Sequence, residues 1–290
     1  MYKELISIII PVYNSADTIY RTLKSISDQT YNNLEIIIVY KESQDDSLKI
    51  IQSVKDSRIK IVKQTKATGP GGARNIGIDC AKGDWIGFVE ADDYIAPDFY
   101  EKLLNSAIKN NCEIAQGQIK YNDWCSVKKS AVYSKYYDKL HILSNGASFD
   151  KLFKSDLIKK NNIKFMENVR WEDNLFIFKA LYYGKLVTVI DANYFYEPSA
   201  WNPEYIKKLK ADILPVCNEI WKFLSSVKLT IAERHLAKRR IINCVAAQFI
   251  DDAIIYNGLM KILNNPLFLR IAHYKKILRQ QKNKKGQKND

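Results

Sequence analysis

Three carboxylates, Glu90, Asp92 and Asp93, close the stretch Trp85–Asp93 (WIGFVEADD). They follow a short apolar run, so they fall where a buried strand ends. A carboxylate cluster at such a point can hold a divalent cation through hard oxygen ligands, with a diphosphate completing the shell. Acidic residues after a strand are also ordinary turn formers. A second candidate is Thr68–Asn75 (TGPGGARN). Backbone amides at a helix N-terminus attract anions, and Arg74 adds a permanent charge for a phosphate or base contact. The glycines would serve a plain helix-start turn as well. The segment has neither the G-x-G-x-x-G spacing of a dinucleotide site nor a Walker Lys-Ser/Thr. A third pair, Glu172-Asp173, opens a helical pattern. A carboxylate there suits the helix macrodipole, and it can also act as a general base.

These groups must be positioned by the elements around them. Leu5–Pro11 (LISIIIP) is a continuous apolar run, as in a strand buried on both faces. Ser15 reads as an N-cap for a helix carrying Ile19, Leu23 and Ile26 on one face. Leu34–Val39 is a second strand, Asp45–Val54 a helix and Ile59–Val62 a third strand. The Gly-rich loop Thr68–Gly72 then leads into a helix from Ala73 to about Ala81, and Trp85–Val89 is the fourth strand. Strands alternating with helices predict βαβ units and a parallel sheet. Ligands of such sheets sit beyond the carboxyl ends of the strands. That directs attention to Pro11–Asn14, Tyr40–Ser43 and Glu90–Asp93. Residues 120–170 mix strand, loop and short-helix signals. Trp171-Glu172-Asp173 opens a helix to about Tyr183, and Leu186–Ile190 reads as a strand. After Pro203 the pattern is helical.

In order along the chain stand PVYN (Pro11–Asn14), SISDQT (Ser25–Thr30), EIIIV, DDS, D-x-R-I (Asp56–Ile59), G-x-A-R-N-x-G (Gly71–Gly77), GDWIxFxEADD (Gly83–Asp93), Pro97-Asp98 and WED (Trp171–Asp173). Together they resemble the family 2 glycosyltransferases of the GT-A fold. The resemblance is dense from residue 5 to about 105. It returns at Phe165–Phe176 and at Val189–Tyr196. It implies an α/β fold: a mostly parallel sheet flanked by helices, with a Rossmann-like nucleotide-binding half (1–119) and an acceptor half (120–203); beyond Pro203 nothing matches, and the helical pattern there reads as a C-terminal helical extension (204–290).

The resemblance also implies roles. Pro11, Tyr13 and Asn14 match the wall against the nucleotide base, and Arg74 matches a basic residue near the nucleotide. Glu90 and Asp92 occupy the two acidic positions of the family's D-x-D, where the first lies near the ribose or metal and the last binds the metal, Mn2+ or Mg2+. Asp173 matches the carboxylate that deprotonates the acceptor hydroxyl, with Trp171 and Glu172 beside it on the acceptor side. The implied reaction is a single displacement with inversion, from a nucleotide diphosphate-sugar, a UDP-sugar by family habit, to a glycan or lipid-linked saccharide. Two positions depart from the family pattern. Where V-D-D-G-S is usual, this chain has Val39-Tyr40-Lys41-Glu42-Ser43. Lys41 cannot accept the uracil N–H. Glu42 can supply the acceptor from one residue on, or Lys41 can donate to a base carbonyl. The other departure is Glu90 in place of Asp.

The 290 residues are 47% apolar and 27% charged, which excludes wholesale disorder. The net charge is +13. Residues 270–290 carry eight basic side chains against Asp290, so +7 of that charge is terminal. A terminal surplus suits an anionic membrane surface better than a nucleic-acid groove, which needs basic residues spread over the folded domain. Leu267, Ile271, Tyr274 and Leu278 recur at helical steps beside Lys275, Lys276 and Arg279, an arrangement that fits a peripheral membrane helix or a stripe packed on the protein itself. Residues 280–290 read as a disordered tail. Five scattered cysteines without a C-x-x-C, and no opening signal peptide, imply reduced thiols in the cytoplasm. A catalytically impaired nucleotide- or glycan-binding protein and a basic nucleic-acid-binding protein are the other classes compatible with these features. No nucleic acid is expected as a partner.

Overall fold

The computed structural model describes residues 3–121, 124–127, 129–142, 146–197 and 203–249, with isolated positions at 255, 259, 262 and 263. The basic stripe from Leu267 to Leu278 and the 280–290 tail lie outside the described residues. The chain divides into two compact units, Met1–Asn202 and Pro203–Asp290.

In the first unit the order is β1 (Ile6–Val12), α1 (Ile19–Ser27), β2 (Leu34–Tyr40), α2 (Ser47–Ser53), β3 (Ile59–Lys63), α3 (Gly69–Cys80), β4 (Trp85–Phe88), β5 (Tyr94–Ile95), α4 (Phe99–Lys109) and β6 (Ile114–Tyr121). There follow β7 (Trp124–Cys125), β8 (Ala131–Tyr133), α5 (Tyr136–Ile142), β9 (Lys151–Lys154), α6 (Ser155–Lys160), α7 (Asp173–Tyr183) and β10 (Leu186–Phe195). Among the described residues one sheet holds every strand, in the order β3-β2-β1-β4-β9-β6-β10-β5, with β7 beside β6 and β8 beside β10. β3, β2, β1 and β4 are parallel. β9 runs antiparallel to both β4 and β6, and β10 is parallel to β6.

β1 and β2 are buried because the sheet is covered on both faces, which is why their sequences are unbroken apolar runs. Ile6, Ile8 and Ile10 join Leu23 and Ile26 of α1 in one core. On β1's other face α3 comes close. A Cβ on Gly77 would lie 2.3 Å from Ile9 Cγ2, so only glycine fits there.

Two helix starts differ from the sequence expectation. α1 begins at Ile19, with Thr18 at the cap. The Ser15 carbonyl accepts from the N–H groups of Thr18 and Ile19, while its hydroxyl donates to Tyr13 O at 3.2 Å and does no capping. α3 begins at Gly69, before the expected Ala73. Proline in the first helical turn loses no intrahelical hydrogen bond, so Pro70 belongs to the helix; Gly69 stands at φ 70°, and Gly71 and Gly72 are packing positions. A Cβ on Gly71 would meet Met166 O at 2.0 Å, and one on Gly72 would meet Thr68 Oγ1 at 1.9 Å.

The second unit holds α8 (Pro203–Ser226) and α9 (Ile231–Phe249). Leu209, Ile213, Val216, Cys217, Ile220 and Leu224 form a buried stripe on α8. Lys238 of α9 lies over the Trp221 ring at 4.8 Å. Among the described residues no helix is long and apolar enough to cross a membrane.

Candidate active site

The ends of β1 and β2 are tied together. Asn14 sits at φ 48°, a left-handed conformation that asparagine tolerates. Its N–H donates to Ser43 Oγ and its Oδ1 accepts from Gln44 N–H, each at 3.0 Å. Lys41 N–H donates to Val12 O at 2.9 Å, and Pro11 lies in register with Val39. Lys41 Nζ stands 4.1 Å over the ring of Tyr13, which is half exposed. Glu42 turns toward Lys63 at 3.4 Å. Pro11, Tyr13, Asn14, Lys41 and Glu42 are thus neighbours on one edge of the sheet.

The acids after β4 are held from α1. Thr18 and Thr22 hydroxyls donate to Ala91 O at 2.8 and 3.0 Å, and Thr22 also donates to Asp93 O at 2.7 Å. Arg21 Nη2 donates to Asp92 O at 2.7 Å. The Asp93 carboxyl is fully buried and accepts from Tyr194 O–H at 2.6 Å and Glu197 N–H at 2.8 Å. Burial pushes it up to about 8. Tyr194 oxygen in turn accepts from Glu90 N–H at 3.1 Å. Asp93 therefore anchors the motif, while Asp92 keeps partial exposure and no ion pair among the described residues. Burial raises Asp92 above its ordinary carboxylate value.

Arg74 occupies the centre. Only 4% of its side chain is exposed. Nη2 donates to Glu90 Oε1 and Nη1 to Glu172 Oε1, both at 2.6 Å, and Nη1 lies 3.6 Å from Asp173 Oδ1. The residue that sequence reasoning places against a nucleotide is turned toward three carboxylates. Burial pushes Glu90 up to about 7, outweighing the pull of the guanidinium. Burial raises Glu172 as well.

Asp173 is the first residue of α7, and Glu172 precedes it at the cap. The expected start at Trp171 is two residues early. Trp171 has φ 70°, outside any helix and costly for an aromatic residue. Asp173 Oδ2 accepts from Ser148 N–H at 3.1 Å and from the Ser148 hydroxyl at 3.2 Å. Ser148 carries no sequence signal of this contact. Tyr194 falls within Val189–Tyr196, where the sequence pattern assigns it no role.

Among the described residues no group of three or more His, Cys, Asp or Glu side chains could by itself enclose a metal ion. The donors present do fit a cation shared with a diphosphate. The Asp92 carboxylate is desolvated without a salt-bridge partner. Glu90 already gives one oxygen to Arg74 and has the other to offer.

Residues 7–166, more than half of the chain, match the family described as Glycosyl transferase family 2. The chain belongs to this family. An uncharacterized glycosyltransferase of Haemophilus influenzae is 35% identical over 186 residues, covering 62% of this chain and 73% of that one. The Escherichia coli UDP-Glc:alpha-D-GlcNAc-diphosphoundecaprenol beta-1,3-glucosyltransferase WfaP is 50% identical over 91 residues, covering 31% of this chain and 36% of its own length. S. aureus TarS 1–349, crystallised with UDP-GlcNAc, shares the fold with a TM-score of 0.78 at 21% identity, over 89% of this chain and 80% of that one. The sheet with its antiparallel β9 is the GT-A architecture expected of this glycosyltransferase family.

Proposed function

We propose that the chain transfers a sugar from a nucleotide diphosphate-sugar, a UDP-sugar, to a hydroxyl of a glycan acceptor in bacterial surface polysaccharide synthesis, inverting the anomeric centre. The observation that carries this reading is Arg74. Its one guanidinium joins Glu90, of the acidic motif after β4, to Glu172 and Asp173 at the start of α7, far apart in sequence. A donor-side acid and a candidate base thus face each other across a buried cation.

In this reading Pro11, Tyr13, Asn14, Lys41 and Glu42 flank the nucleotide base. Asp92, with Glu90 as a second carboxylate, would hold Mn2+ or Mg2+, which supplies positive charge against the departing diphosphate. Asp173 takes the proton of the acceptor hydroxyl as that oxygen attacks the anomeric carbon. The C1–O bond to the diphosphate breaks, its electron pair leaves with the nucleotide, and no enzyme nucleophile intervenes. Trp171 and Glu172 border the acceptor. A lipid-linked saccharide acceptor, like the one in the name of WfaP, would bring the chain to the cytoplasmic face of a membrane, where its basic 270–290 segment fits anionic headgroups.

Calorimetric titration with UDP and UDP-hexoses, with and without Mn2+, tests the proposal on wild type and Asp92→Asn. UDP binding strengthened by Mn2+ in the wild type and indifferent to it in Asp92→Asn is expected. Metal enhancement surviving in the variant would remove Asp92 from the site.

A further inference from the structure

Asp150 and Lys151 are both wholly buried, 0% exposed, at the start of β9. Lys151 Nζ donates to Asp150 Oδ1 at 2.5 Å and to Ala147 O at 2.7 Å. Gln116 Nε2 donates to Asp150 Oδ2 at 3.0 Å, and Gly117 N–H donates to Asp150 O at 2.7 Å. The pair is thus fixed to β6, and through Ala147 it fixes the segment ahead of β9. The next residue in that segment is Ser148, whose N–H and hydroxyl both grip Asp173 Oδ2. The segment also has little room to shift. A Cβ on Gly146 would fall 2.2 Å from Asn174 Oδ1, the side chain next to Asp173.

A buried ion pair is a poor source of stability, because desolvating two charges offsets their attraction. Apolar or neutral side chains of similar size would serve the core as well. What they could not do is reach back four residues and hold a main-chain carbonyl with a charged donor. We infer that Asp150 and Lys151 are positioning residues for the transfer reaction: they clamp the Ala147 carbonyl so that Ser148 presents two donors to Asp173. The inference rests on the reading of Asp173 as the general base. In the free enzyme, Ser148 holds Oδ2, while the other oxygen, Oδ1, is buried 3.6 Å from Arg74 Nη1 without a hydrogen bond of its own and is the one left to take the acceptor's proton. Ser148 is fully buried, so water cannot take over its two bonds.

The test compares five proteins: wild type, Asp173→Asn, Ser148→Ala, Lys151→Arg and the charge-free double variant Asp150→Asn/Lys151→Met. UDP release from UDP-glucose and UDP-GlcNAc, with water as acceptor, gives kcat and the donor KM. Hydrogen–deuterium exchange followed by mass spectrometry reads the Ser148 amide without need of turnover. In the double variant the Ser148 amide should exchange at least tenfold faster. A hydrogen bond to a charged group is worth enough for kcat to fall about tenfold or more, with donor KM unchanged. Ser148→Ala should lower kcat similarly with its melting temperature retained, which separates positioning from folding if the double variant proves unstable. Lys151→Arg should keep part of the rate that the double variant loses, since it keeps a donor of the right charge. Unchanged Ser148 exchange in a folded double variant overturns the inference, and so does wild-type kcat in Ser148→Ala. Full activity in Asp173→Asn instead overturns the assignment of the base itself.

Discussion

Replacing Arg74 with methionine removes the cation shared by three acids and keeps a side chain of similar length. Two hydrogen bonds to carboxylates at 2.6 Å are lost, along with a third ion pair at 3.6 Å. Breaking a buried pair by deleting one partner costs about 3–5 kcal/mol, because the remaining charge is stranded. For a unit of this size each kcal/mol moves the melting temperature by about 2–4 °C, so a fall of roughly 10 °C is expected at pH 8. The pH dependence fixes the cause. Burial already raises Glu90 to about 7, above its unfolded value. A carboxyl whose folded value is raised favours the fold when protonated and loses that advantage as pH climbs from about 4.5 to about 7. Without Arg74 both Glu90 and Glu172 rise further, so the penalty in Arg74→Met should grow toward pH 8 and shrink toward pH 5. Thermal melts of both proteins at pH 5, 6.5 and 8 give the comparison. A variant that melts within about 2 °C of wild type at pH 8, or whose deficit is the same at pH 5, would refute the view of Arg74 as the buried counter-charge.

Lys41→Asp restores the usual family acid and removes the ammonium now over Tyr13. It should change affinity for UDP more than for GDP in calorimetric titrations, and equal small changes for both would show that Lys41 does not read the base. Gly71→Ala adds a helix-favouring side chain, yet its Cβ would fall 2.0 Å from Met166 O. The overpacking should cost about 1–3 kcal/mol, seen as a lower urea midpoint, and a midpoint at or above wild type would show that the contact relaxes freely.

The parallel half was legible because its strands are buried on both faces and its helices carry an apolar stripe. β1 is shifted by one residue at both ends of its expected span, and β2 runs one residue past its expected end. β9 was hidden for the opposite reason. Its sequence KLFK has charged ends, and the pattern gives no sign that Lys151 is buried, paired with its neighbour Asp150. β10 runs to Phe195, past the expected Ile190, because exposed Ile190 and Asp191 fall at an irregularity in its pairing with β6 and mimic a strand end. The GPGG segment read as loop because glycine and proline are poor helix formers. Close packing at Gly71 and Gly72 decided otherwise. Of the site, the residue types at strand ends were readable from motif order. The partners of Arg74 were not, since Glu172 lies 98 positions away and comes near only through the fold. Ser148 belongs to the same class of long-range contact.

β9 enters the sheet against the direction of its neighbours, with Leu152 opposite Gly87 and Lys154 opposite Trp85. The edge where β1, β2 and β4 end therefore also receives the beginning of β9. The linker arriving at β9 lands beside the acids that leave β4, though some sixty residues separate them in the chain. In the proposed reading, a change in the length of that linker would reshape the acceptor side and leave in place β1, β2 and the residues that would flank the nucleotide base. On that reading acceptor choice would be open to redesign ahead of Ala147, with the donor side and the hold of Ser148 on Asp173 kept as they are.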